Sequence, residues 1–182
     1  MLLYEKIGEV HQRSDLWFAQ SNRTLADYIV QWDVEEETPQ LFRTLNAAID
    51  KAILDSKRDF SGRRRIIEVW PGLYEGPFYI PKCAPPLLIQ GLNRNGVVLF
   101  ANIDAEMPGH EYALKFSSKF ENSVKECQAI FASISALDRI STNNASVMSI
   151  EADDVKLLNV TIRNDYAADR LDAAPDDAIR DI

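Results

Sequence analysis

Between residues 66 and 91 the chain holds three strand-forming segments in quick succession, at 66–70, 78–80 and 87–90. Each is bounded by proline or glycine: Pro71-Gly72, Gly76-Pro77, Pro81 and Gly91. Connections this short exclude a crossover helix, which needs about a dozen residues to return a strand parallel within one flat sheet. Two arrangements satisfy the spacing. One is a hairpin meander; the other is a coil in which successive strands lie on different faces and each pairs with the next turn.

A chain of 182 residues with 46% hydrophobic content is long enough for one domain with a sizeable core. Its net charge of −8 excludes nucleic acid, since a phosphate partner requires a basic face. The one basic run, Arg63-Arg64-Arg65, reads as a solvated strand edge. Cys83 and Cys127 form no Cys-x-x-Cys pair and are expected to be free thiols. Acidic residues fall within the first ten positions. No stretch has the length of a signal peptide's apolar run or of a membrane span, so neither an export address nor a membrane partner is expected.

Taken in order, residues 1–40 read as an N-terminal arm and strand. Leu16-Trp17-Phe18 is the dense apolar cluster of 1–22, which fits a short helix or a packed arm. Residues 28–34 are rich in β-branched and aromatic side chains and predict a strand, ended by Glu35-Glu36-Glu37-Thr38-Pro39. Over 41–55 the apolar residues Leu41, Leu45, Ala48, Ile49, Ala52 and Ile53 recur at helical spacing, with Thr44 as a candidate cap. A further strand is expected at 97–100. Residues 104–144 then break the rhythm, and Phe120, Val124, Cys127, Ile130, Phe131, Ile134 and Leu137 predict a helix over 119–140. Strands return at 147–151 and 157–162, and 167–182 reads as a loop or a weak terminal helix.

Several of these segments resemble the pectinesterase family. Thr44-Leu45-Asn46-Ala47-Ala48-Ile49-Asp50 is similar to its "T-hydrophobic-x-A-A-I-D" helix, and Val69-Trp70-Pro71-Gly72-Leu73-Tyr74 with Ile80-Pro81 to its "V-x-P-G-x-Y … I-P" segment. Ile89-Gln90-Gly91 follows in order, and 145–166, ending Asn159-Val160-Thr161-Ile162-Arg163-Asn164, resembles a later rung. The resemblance covers roughly residues 40 to 166. It implies an all-β dominated fold, a right-handed single-stranded parallel β-helix of the pectin lyase-like kind. In this scheme 41–55 is a capping helix, 64–166 are rungs, and 104–144 is an insertion that either borders a groove or lids exposed core.

The resemblance also implies chemistry. Pectinesterases hydrolyse methyl esters of homogalacturonan without metal or cofactor, using one aspartate as nucleophile, a second as acid and base, two glutamines for the oxyanion and an arginine. Those residues belong to motifs that follow the rung at 145–166, and none is found after Tyr166. Gln128-Ala129-Ile130 and Asp59-Phe60-Ser61-Gly62 look alike but stand out of order, so no catalytic residue is assigned. His11 and His110 have no partner at a recognisable spacing, and no metal site is expected. Tyr74 and Glu75 are the candidate substrate-binding residues, as an aromatic and an acid suited to a sugar groove. Packing at its turn is the preferred reading of Tyr74, and Gly76 stands where the family often has a glutamate.

The expected partners are a pectin-type polysaccharide, if the chain is part of a complete enzyme, and another chain at the open C-terminal end of the coil. Absence of the catalytic motifs predicts inactivity of these 182 residues alone. Two other readings remain: a non-catalytic β-helix that binds a protein or polysaccharide, and a thioester hydrolase-like relative. The family is usually secreted or periplasmic, and the chain's own location is left open.

Overall fold

A computed structural model describes residues 25–166. The expectations for 1–22, His11 and 167–182 lie outside the described residues.

Strands β1 (Tyr28–Val30) and β2 (Leu41–Phe42) precede helix α1 (Leu45–Ser56). There follow β3 (Arg65–Val69), β4 (Gly72–Glu75), β5 (Phe78–Ile80), β6 (Leu87–Gly91) and β7 (Val97–Ala101). After helices α2 (Gly109–Phe116), α3 (Lys125–Ser135) and α4 (Ser141–Asn144) come β8 (Met148–Ile150), β9 (Val155–Leu158) and β10 (Thr161–Asn164). The sheets run β2-β1-β3-β6-β9, β10-β7-β4 and β5-β8, and every pairing between these strands is parallel. From β3 onward each strand pairs with the third strand after it: β3 with β6 and β6 with β9, β4 with β7 and β7 with β10, β5 with β8. No meander forms among these strands.

The register stacks like on like. Ile67, Ile89 and Leu157 stand one above another, as do Tyr74, Leu99 and Ile162. The inward residues of the earlier turns, Ile67, Ile89, Val97 and Leu99, are fully buried. Gly91 is required by a close approach, because a Cβ there would lie 2.2 Å from the Asn159 carbonyl oxygen. Asp154 and Asn159 turn the corners into β9 and β10 with positive φ of 56° and 52°.

Helix α1 forms where its pattern predicts, although it starts later. Leu41 and Phe42 are spent on pairing with β1, and Thr44 then caps the helix, its hydroxyl oxygen accepting the Ala47 N–H at 3.2 Å. Leu45, Ala48, Ile49, Ala52 and Ile53 make one buried face against β1, β2, β3 and β5.

Four expectations need correction. The segment 72–75 is a strand, not a turn, because its in-register pairing with β7 carries a sequence with little strand character of its own. The single helix over 119–140 is instead a 3-10 turn at Ser117–Lys119, a loop, and α3. Phe120 and Val124 keep the apolar spacing because they are buried from the loop. The strand 157–162 is two strands broken at Asn159. The arginine run is not a solvated edge: Arg65 is 6% exposed and 2.6 Å from Asp59, Arg63 forks onto Asp27, and Arg64 reaches Asp154.

The helical segment 104–144 docks on β5 through rings. Tyr79 of β5 stacks on Phe120 at 4.8 Å between centroids, and Phe120 on Phe131 at 4.9 Å. Below them the buried Tyr79 and Tyr112 hydroxyls bond to each other.

Candidate ligand cleft

A cleft of about 540 Å³ opens between the outer side of α1, strand β4 and the loop that follows the 3-10 turn. Both sequence-predicted substrate residues border it, but they differ in what they offer. Tyr74 is buried; its hydroxyl lies 2.8 Å from the Trp70 carbonyl and 3.2 Å from that of Val30, and the Trp32 peptide N–H points at the same oxygen. Burial pushes this phenol up to about 12, against the Trp32 hydrogen bond, so it stays neutral. Tyr74 therefore fastens the cleft wall, its hydroxyl engaged with backbone groups. Glu75 is exposed, and its carboxylate sits 2.9 Å from the Lys119 ammonium.

The aromatic surface comes from Trp32, which sequence reasoning had placed inside a strand. It lies just past β1 and is 56% exposed. Its indole lies over Gly72, where a Cβ would meet Trp32 Cδ1 at 2.4 Å, so glycine at this position is what lets the ring lie against β4. Leu73, 65% exposed, extends the apolar floor.

The opposite wall carries Asp50. Burial pushes its carboxyl above the ordinary range, opposed by hydrogen bonds from the Ser123 hydroxyl, the Val124 N–H and the Cys127 thiol, while the Glu126 charge adds to the rise. These bonds tie α1 to the start of α3. Burial and the Asp50 charge also raise the Cys127 thiol, leaving it unreactive. The cleft thus holds an exposed ring, polar groups and two carboxylates that are both engaged, Asp50 by its hydrogen-bond donors and Glu75 by Lys119.

The lookalike motifs have structural jobs. The Gln128 amide donates to the Phe120 and Glu121 carbonyls at 3.1 and 3.0 Å, and Asp59 pairs with Arg65. His110 is exposed on α2. Both cysteines are free. Among the described residues no group of three or more His, Cys, Asp or Glu is placed to hold a metal ion, and no helix is long and apolar enough to cross a membrane.

Comparison with solved structures gives the relationship. A rice weevil pectin methyl esterase matches with a TM-score of 0.66 and 25% identity, over 78% of this chain and 36% of its own. The chain is pectinesterase-like. Escherichia coli YbhC matches with a TM-score of 0.67 and 21% identity, over 84% of this chain and 38% of that one. A pectin methylesterase in complex with a hexasaccharide matches at 0.55 and 19%, over 88% and 36%. No protein-family model and no curated protein sequence matches the chain. The pectinesterase-like chain spans little more than a third of the length of these structures.

Proposed function

We propose that these residues form a section of a right-handed parallel β-helix of the pectinesterase type, supplying scaffold and end cap to an esterase and not its catalytic carboxylates. The observation that carries the reading is the pairing of β3 with β6 and β9 in parallel register, in a chain 25% identical to a pectin methyl esterase. In this reading α1 covers the first turn of the coil, burying apolar surface that a solenoid end otherwise exposes. The substrate of the whole enzyme is then methyl-esterified homogalacturonan.

The last turn supports the other half of the reading. Ile150, Leu158 and Ile162 on β8, β9 and β10 are 43%, 48% and 46% exposed, whereas their counterparts one turn earlier are mostly inside. Such an end stacks on further turns or on a second copy of the chain. The net charge of −8 disfavours a bare pectate chain, which carries the same sign.

The test is methanol release from methyl-esterified homogalacturonan by the purified 182-residue protein. No release above the blank is expected, and turnover would overturn the non-catalytic assignment. Sedimentation of the same sample reports whether the last turn self-associates.

A further inference from the structure

We propose that the cleft between α1, β4 and the 118–123 loop is a binding site for a neutral pyranose chain, with Trp32 as its stacking platform. The proposal stands apart from the esterase reading, because it needs neither catalysis nor a longer coil.

The cleft is built for a ring with one apolar face and a polar rim. Its floor is the exposed Trp32 indole lying against Gly72, continued by Leu73. Its rim is lined by Ser118 and Asn122, and by Asn46 and Ser123, whose amide and hydroxyl also donate to the Pro77 carbonyl and to Asp50. Sugar rings carry the matching chemistry: C–H groups that pack on an aromatic face, and hydroxyls that both donate and accept around the edge. The Trp32 backbone is also held from behind by the bond between its peptide N–H and the buried Tyr74 hydroxyl, and its indole lies close against Gly72. A platform ordered before binding loses little entropy when a ligand lands on it.

Charge decides which sugar. Both lysines bordering the cleft are ion-paired, Lys119 with Glu75 at 2.9 Å and Lys51 with Asp55 at 2.6 Å, and the Arg43 guanidinium donates to the Val34 and Glu35 carbonyls at 2.7 and 3.2 Å. Asp50 is likewise occupied by its donors from Ser123 and Val124. A uronate would have to break one of the two lysine ion pairs, or draw the Arg43 guanidinium off its carbonyls, to find a counter-charge, and the chain as a whole repels it. A neutral chain meets no such barrier.

The experiment titrates the 182-residue protein with cellohexaose, mannohexaose, xylohexaose and hexagalacturonate at up to millimolar concentration, following tryptophan fluorescence and heat. At least one neutral oligosaccharide is expected to saturate, and to bind more tightly than hexagalacturonate. Trp32→Ala is expected to weaken that binding about tenfold, the scale of one lost ring contact, with Trp32→Phe retaining most of it. Leu73→Glu is expected to weaken it as well. Because Leu73 is 65% exposed, this variant decides the matter even if Trp32→Ala fails to fold. Absence of saturable binding to every neutral chain, equal binding by the Leu73→Glu variant, or tighter binding of hexagalacturonate would each overturn the proposal.

Discussion

The side chain of Asn164 makes both hydrogen bonds that the backbone of Ile103 offers. Its Nδ2 donates to the Ile103 carbonyl at 2.9 Å, and its Oδ1 accepts the Ile103 N–H at 3.1 Å. Nδ2 also approaches the Ala145 carbonyl at 3.4 Å, so one amide near the end of β10 holds both the entry and the exit of the helical insertion. Asn164→Ala leaves the backbone groups of a buried residue unpaired and should destabilise the fold by about 2–3 kcal/mol in denaturant titration. Asn164→Asp keeps the acceptor but turns a carboxylate toward two carbonyl oxygens. Its deficit should be larger at neutral pH than at a pH where the new carboxyl is protonated.

Thr44→Ala removes the side-chain cap of α1 while leaving the buried face of the helix intact. A loss of about 1 kcal/mol is expected, seen as a fall of roughly 2–4 °C in the melting midpoint. Thr44→Ser should restore nearly all of it.

The Tyr79 and Tyr112 hydroxyls are buried and bonded to each other. Burial pushes Tyr112 up to about 12 and Tyr79 higher still, so both are neutral through the accessible pH range. Either single Tyr→Phe change strands one hydroxyl and should cost about 1–3 kcal/mol. The double variant strands none, and its cost should fall short of the sum by at least about 1 kcal/mol in a double-mutant cycle.

Asp27 sets an acid limit. Burial pushes its carboxyl up, but the Arg63 guanidinium, the Ile66 N–H and the charges of Arg63 and Arg65 more than offset this and hold it below 3.8. A depressed carboxylate stabilises the fold fully above its unfolded value, and the contribution is lost as pH falls through the lower folded value. Asp27→Asn should therefore be less stable than the parent at pH 7, with the gap closing below about pH 4 in melts recorded across that range.

The fold was legible where a residue's own chemistry decides its conformation. Thr44 caps, the stripe from Leu45 to Ile53 repeats at helical spacing, and the Pro-Gly boundaries mark where strands end. The parts that escaped depend on what a segment pairs with. Gly72–Glu75 is a strand because β7 lies beside it, and nothing in Gly-Leu-Tyr-Glu announces that. Arg65 looked solvated because its partner, Asp59, belongs to a loop whose path could not be read. In the cleft, Tyr74 and Glu75 were legible as bordering residues, and Tyr74 takes the packing role that its sequence context favoured. Trp32 was overlooked, since the signal that a tryptophan past a strand end is exposed lies in Gly72, forty residues on.

The account rests on one topological claim, that β3 pairs in parallel with β6 and not with its neighbours in sequence. Nuclear Overhauser contacts on isotope-labelled protein test it directly. The predicted result is amide-to-Hα contacts between Ile67-Glu68 and Ile89-Gln90 without close Hα–Hα pairs. Strong Hα–Hα contacts between β3 and β4, or between β5 and β6, would contradict it, because they arise where antiparallel strands bring opposed Cα atoms within about 4.5 Å.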